Sequence, residues 1–118
     1  MKISKVVIFH GTDGSPQGIW IPWLKSELEK SGVKVWAPLL PGNDKPNIDT
    51  YNEYILKNKP WEFDNNTAVV GHSSGSVEIL GLLEKLPKKE KIGLAILVAT
   101  FVGDLGWPEL RALNKEFD

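Results

Sequence analysis

The sequence predicts an α/β fold: a parallel sheet of about four strands in the order 2-1-3-4, with helices on both faces. Three observations point to it. Short apolar runs alternate with stretches of helical period, strand then helix, four times along the chain. The runs are rich in β-branched residues and nearly free of charge, as strands buried on both faces are. Glycine-rich turns close the first and third runs, at the carboxyl ends of the strands, where open parallel sheets place their ligands.

The elements follow in order. "KVVIFH" reads as strand one, closed by "GTDGSPQG". Trp20, Leu24 and Leu28 then recur at helical spacing, with Trp23 and Glu27 beside them, until Gly32 stops the pattern. "VKVWAP" is strand two. The Pro and Gly of "APLLPGNDKP" enforce a loop before Ile48, Tyr51, Tyr54 and Ile55 restore a helical stripe that Asn47 or Asp49 could cap. After the loop "NKPWEFDNN", "TAVVGH" is strand three and runs straight into the helix "SSGSVEILGLLEKL", which Pro87 ends. "IGLAILVAT" is strand four. Pro108 opens a short helix with Trp107, Leu110, Leu113 and Phe117 on one side.

Composition narrows the function. The 118 residues, 42% hydrophobic and 25% charged, suffice for one domain, residues 1–118, with a real core. A formal net charge of −1 gives no broad positive field for nucleic acid or an anionic membrane, so the expected partner is a small molecule or a protein. The absence of Cys excludes disulfides, thiolate metal sites and cysteine nucleophiles. Two separated His, at 10 and 72, do not make a usual transition-metal set, and no cofactor is expected. The first apolar run is broken by His10 and Gly11, short of a signal-peptide core or a membrane span, so a cytoplasmic location is expected.

The most specific stretch is "AVVGHSSGSVEIL". "GHSSG" fits G-x-S-x-G, the nucleophile elbow of α/β-hydrolases, in which a strained strand-to-helix turn lifts a Ser hydroxyl into the cleft. Gly71 and Gly75 keep Cβ atoms out of the bend. Ser73 is then the candidate nucleophile. The backbone N–H of Ser74, at a helix N-terminus, would face a tetrahedral oxyanion; a second donor should come from the turn after strand one, from Thr12 or else Gly11. The competing reading makes Ser73 only a helix cap. A phosphate site fits less well, because "HGTDGSPQG" lacks the G-K-[ST] of a P-loop and its glycines at 11, 14 and 18 do not give G-x-G-x-x-G.

Four stretches together, "VVIFHGTDGSPQGIWIPWLKSELEKSG", "VWAPLLPG", "VVGHSSG" and "AILVATF", resemble the small serine hydrolases of the retinoblastoma-binding protein nine (YdeN-like) family along the whole chain. The resemblance implies an α/β-hydrolase fold without a large lid, Ser73 as nucleophile, backbone donors at Ser74 and near Thr12, and hydrolysis of an ester or amide. It also implies an Asp and then a His after the nucleophile, and no His follows Ser73. The chain is therefore expected to hold the larger N-terminal part of a family domain, with weak activity or none by itself.

Substitutes for the base are few. His72 is next to Ser73 in sequence but leaves the bend in another direction, which makes it structural. His10 ends the neighbouring strand and could approach Ser73, although the resemblance implies that it braces the oxyanion turn. Asp104, in "TFVGDLG", has no His to orient and reads as a turn residue. Trp20, Trp23 and Trp36 are expected in the helix–sheet core. "KLPKKEK" carries both signs and reads as a solvated turn.

Strand four would be an outer strand, yet it is almost wholly apolar. Either further strands of the family domain pair there, or another copy of the chain does so through Ile92 to Thr100, or the helix from Trp107 to Phe117 folds over the edge. Two functions remain: a serine hydrolase whose base and acid lie outside the chain, and a non-catalytic interaction module that keeps the bend as scaffold.

Overall fold

The computed structural model describes residues 2–113. Its elements are β1 (Lys5–Phe9), α1 (Ile21–Lys30), β2 (Lys34–Trp36), α2 (Ile48–Asn58), β3 (Thr67–His72), α3 (Ser74–Lys85), β4 (Leu94–Val98) and a final 3₁₀ turn, Pro108–Leu113. The four strands form one parallel sheet in the order β2-β1-β3-β4. In the central pair Lys5 lies opposite Thr67 and Phe9 opposite Gly71, so β1 and β3 end level with each other.

The side-chain alternation of β1 divides the core. Val7 and Phe9 face α2 and α3, packing with Tyr51, Ile55, Ile79 and Leu82. Val6 and Ile8 face the other way, onto Ile21, Trp20, Leu24 and Leu28 of the α1 layer. Right-handed crossovers require this split: stepping from β1 to β2 and from β3 to β4 moves in opposite directions across the sheet, which sends α1 to one face and α3 to the other.

Local sequence sets the boundaries. Asn47 caps α2, its side chain accepting from the Thr50 N–H at 3.1 Å. Gly32 follows α1 in the left-handed region, φ 84°. An ion pair joins the far end of α2 to the approach to β4: Lys59 Nζ lies 2.6 Å from Glu90 Oε1, which also accepts from the Phe63 N–H at 2.7 Å.

One sequence expectation and one of the alternatives for the edge of β4 need correction. Trp23 is not in the core; it is 65% exposed, because Ile21, Leu24 and Leu28 define the inward face of α1 and Trp23 lies beside that stripe. The final turn does not fold over the edge of β4. Leu110 and Leu113 are buried instead against Val77 and Ile48, on the α2–α3 face, while Phe117 lies outside the described residues. No described element covers the outer edge of β4, whose Leu94 and Ile96 remain exposed. Between β4 and α1 an apolar groove of about 420 Å³ runs over Ala68, Val70 and Ile96.

Candidate functional site

The level ends of β1 and β3 bring two turns together. Ser73 follows β3 directly, with φ 54° and ψ −119°, a combination that costs a non-glycine residue of order 1–3 kcal/mol and persists only where the surroundings enforce it. They do so from both sides. The Ser73 N–H donates to the Val98 carbonyl at 2.9 Å, and the Ser73 carbonyl accepts from the Ser76 N–H at 2.9 Å and from the Ser76 hydroxyl.

The flanking glycines make the bend sterically possible. A Cβ at Gly71 would stand 2.5 Å from the Gly75 carbonyl oxygen, and one at Gly75 would run into the carbonyl oxygens of Phe9 and His10. The start of α3 thus lies directly on the end of β1. Ser73 occupies the cap position of α3 but makes no side-chain capping bond, which removes the simplest structural use for its hydroxyl.

The turn after β1 faces it. A Cβ at Gly11 would come within 3.3 Å of Ser73 Cβ, and Thr12 Oγ1 donates to Ser74 Oγ at 2.9 Å. Ser74 opens α3, so its backbone N–H has no acceptor within the helix. Residues Ser73, Ser74 and Thr12 are therefore neighbours, and a cleft of about 250 Å³ lies beside them, bounded further by Ile19, His72, Leu105 and Trp107.

Both histidines line this cleft, and the structure gives each a different occupation. His10 is 2% exposed. Its Nε2 accepts from the Leu40 N–H at 2.9 Å and its Nδ1 lies 2.8 Å from the Gly11 carbonyl, which fixes a neutral ring with the proton on Nδ1. Burial holds its pKa below the ordinary 6.5, partly offset by the bond to Gly11. His10 braces the turn and has no ring nitrogen left for Ser73. The ring of His72 meets Trp20 edge-on, with centroids 5.9 Å apart.

Asp104 shapes its own turn. Its Oδ1 accepts from the Gly106 N–H at 2.8 Å and its Oδ2 lies 3.5 Å from Arg111 Nε. Sequence reading missed two supports: Asn43 Nδ2 donates to the Gly14 carbonyl at 2.6 Å, and the Asn43 carbonyl accepts from the Asp13 N–H at 3.0 Å. A single Asn in a polar loop gives no sign of a contact with a turn 29 residues away. Among the described residues no group of three or more His, Cys, Asp or Glu is placed to hold a metal ion. None of their helices is long and apolar enough to cross a membrane.

A family model described as serine hydrolase matches residues 6–115. The chain belongs to the serine hydrolase family. The match takes in both turns of the cleft and every strand but the first residue of β1. Relatives agree. The chain is 32% identical over 111 residues to a Bacillus subtilis (strain 168) protein named "Putative hydrolase YdeN", covering 94% of this chain and 57% of that one. It is 35% identical over 114 residues to "Putative methylesterase 14, chloroplastic" of Arabidopsis thaliana, covering 86% of this chain and 31% of that protein. The crystal structure of the ydeN gene product from B. subtilis superposes with a TM-score of 0.79 at 31% identity, over 98% of this chain and 62% of that one. The chain thus spans little more than half the length of this Bacillus relative.

Proposed function

We propose that the protein is a serine hydrolase of carboxylesterase-like type, acting on ester or amide bonds through an acyl-enzyme on Ser73. The observation that carries this reading is the Ser73 backbone, held at φ 54° at the mouth of a cleft with no capping bond on its hydroxyl. In such a nucleophile elbow, Ser73 Oγ attacks the substrate carbonyl carbon while its proton passes to a general base and then to the departing alcohol or amine; water afterwards cleaves the acyl-enzyme. The backbone N–H groups of Ser74 and Thr12 form the oxyanion hole, where they stabilise charge that exists only in the transition state.

In this reading the general base and its acid are not in this chain. His10 supports this part of the reading, since both its ring nitrogens are engaged, and so does Asp104, engaged in its own turn. The chain by itself then keeps only what the oxyanion hole and binding provide, on the order of 10³–10⁴ over water where other triads have lost a member. Reaction with p-nitrophenyl acetate tests the reading. An acetyl adduct in the intact mass of the wild-type chain should be absent from Ser73→Ala, and an acetyl adduct that survives the substitution would overturn the reading.

The exposed edge of β4 favours a second reading, an interaction module that pairs through Ile92 to Thr100, with another copy of the chain as partner. That reading expects a concentration-dependent dimer in light scattering, unaffected by Ser73→Ala. A chain that stays monomeric at every concentration rules the homodimer out.

A further inference from the structure

We propose that the cleft beside Ser73 selects esters whose bound group is short, uncharged and apolar, and that Trp107 and Ile19 enforce this choice. The inference rests on the hydrolase reading and extends it to substrate class.

Size comes first. At about 250 Å³ the cleft falls below the range of about 300–1,000 Å³ usual for drug-sized ligands, so a long acyl chain would be left in water. Its chemistry is divided. Thr12, Ser15, Ser73 and the rings of His10 and His72 bring polar atoms, while Ile19, Leu105 and Trp107 are apolar. Among the described residues no Lys, Arg, Asp or Glu lines it, so a charged group entering would lose water and gain no opposite charge from them.

The apolar residues are unusual in two further respects. Ile19, Leu105 and Trp107 are each more than half exposed, at 63%, 56% and 58%. Single exposed apolar side chains are ordinary, but three around one cleft beside a serine are not scattered at random. Ile19 and Leu105 also hold left-handed backbone, φ 47° and 54°, from separate segments of the chain. For a β-branched residue this is a genuine outlier, and strain of this kind gathers at ligand clamps. The arrangement keeps apolar surface open to water beside the serine hydroxyl, where a short alkyl or acyl group would cover it.

Binding to the Ser73→Ala protein tests this without any turnover. The backbone N–H resonance of Thr12, present in every variant, is followed while methyl butyrate, methyl octanoate and monomethyl succinate are titrated in. Methyl butyrate should shift the resonance and bind at least tenfold more tightly than the other two. Trp107→Ala and Ile19→Ala should each weaken methyl butyrate at least fivefold, whereas Trp107→Phe should largely retain it. Equal binding of the three esters, no binding of methyl butyrate, or unchanged affinity in both alanine variants overturns the proposal. Because Ser73 is already absent, loss of the hydrolase reading would leave this readout untouched, and a failed titration would leave acylation of Ser73 standing.

Discussion

Thr12 Oγ1 donates to Ser74 Oγ at 2.9 Å, joining the turn after β1 to the first residue of α3 across 62 residues of sequence. The two residues whose backbone N–H groups we assign to the oxyanion hole are thus tied by their side chains. A net hydrogen bond of about 0.5–1.5 kcal/mol corresponds to a factor of about 2–13. Thr12→Val should slow phosphonylation of Ser73 by up to about tenfold, and Thr12→Ser should restore most of the rate. Stopped-flow or quenched mass measurements check both.

The bend itself tolerates no added volume. Gly75→Ala would push a methyl group into the carbonyl oxygens of Phe9 and His10, backbone atoms that cannot rotate away. It should cost about 3 kcal/mol or more of stability. Gly32→Ala, at φ 84° with nothing within 4 Å of the new Cβ, should cost about 1 kcal/mol. Urea unfolding midpoints of the two variants give the comparison.

His10 predicts a pH dependence. Its pKa in the folded state is depressed, so below its ordinary value of 6.5 the unfolded chain binds the proton that the folded chain refuses. Stability is therefore complete above about pH 6.5 and falls as the pH drops below it, with a slope approaching ~1.4 kcal/mol per pH unit for one proton. Unfolding in urea between pH 8 and 5 should show this slope, and His10→Gln should flatten it. Asp64 and Glu62, whose pKa values are lowered from already acidic values by Lys5 and Lys89, act only below this window.

Lys59 and Glu90 form an ion pair whose side chains are only 13% and 2% exposed. Glu90→Ala would leave the ammonium without its partner and strand the Phe63 N–H. A loss of about 3 kcal/mol is expected. Replacing both by Met and Leu should recover much of it, and denaturant titration of the single and double variants measures the difference.

The strand order was legible because short apolar runs alternated with helical stripes and right-handed crossovers left few ways to connect them. The bend at Ser73 was legible because only glycine fits at 71 and 75, where Cβ atoms would strike backbone. What sequence could not show depends on contacts between distant segments. The bond from Thr12 to Ser74, the Leu40 N–H on His10 and the Asn43 support of Gly14 have no periodicity and no local motif. Trp23 was misplaced for a simpler reason: its residue type suggests a core, and its angular position on α1 decides otherwise. One alternative laid the final turn over the uncovered edge of β4, whereas the buried contacts of Leu110 and Leu113 lie with Val77 and Ile48.

The central claim is that Ser73 is the residue placed as nucleophile, and intact mass after prolonged exposure to a fluorophosphonate probe tests it most directly. One adduct on the wild-type chain, absent from Ser73→Ala, is the expected result. An adduct that persists in Ser73→Ala, or one that maps to another residue of the wild type, would contradict it.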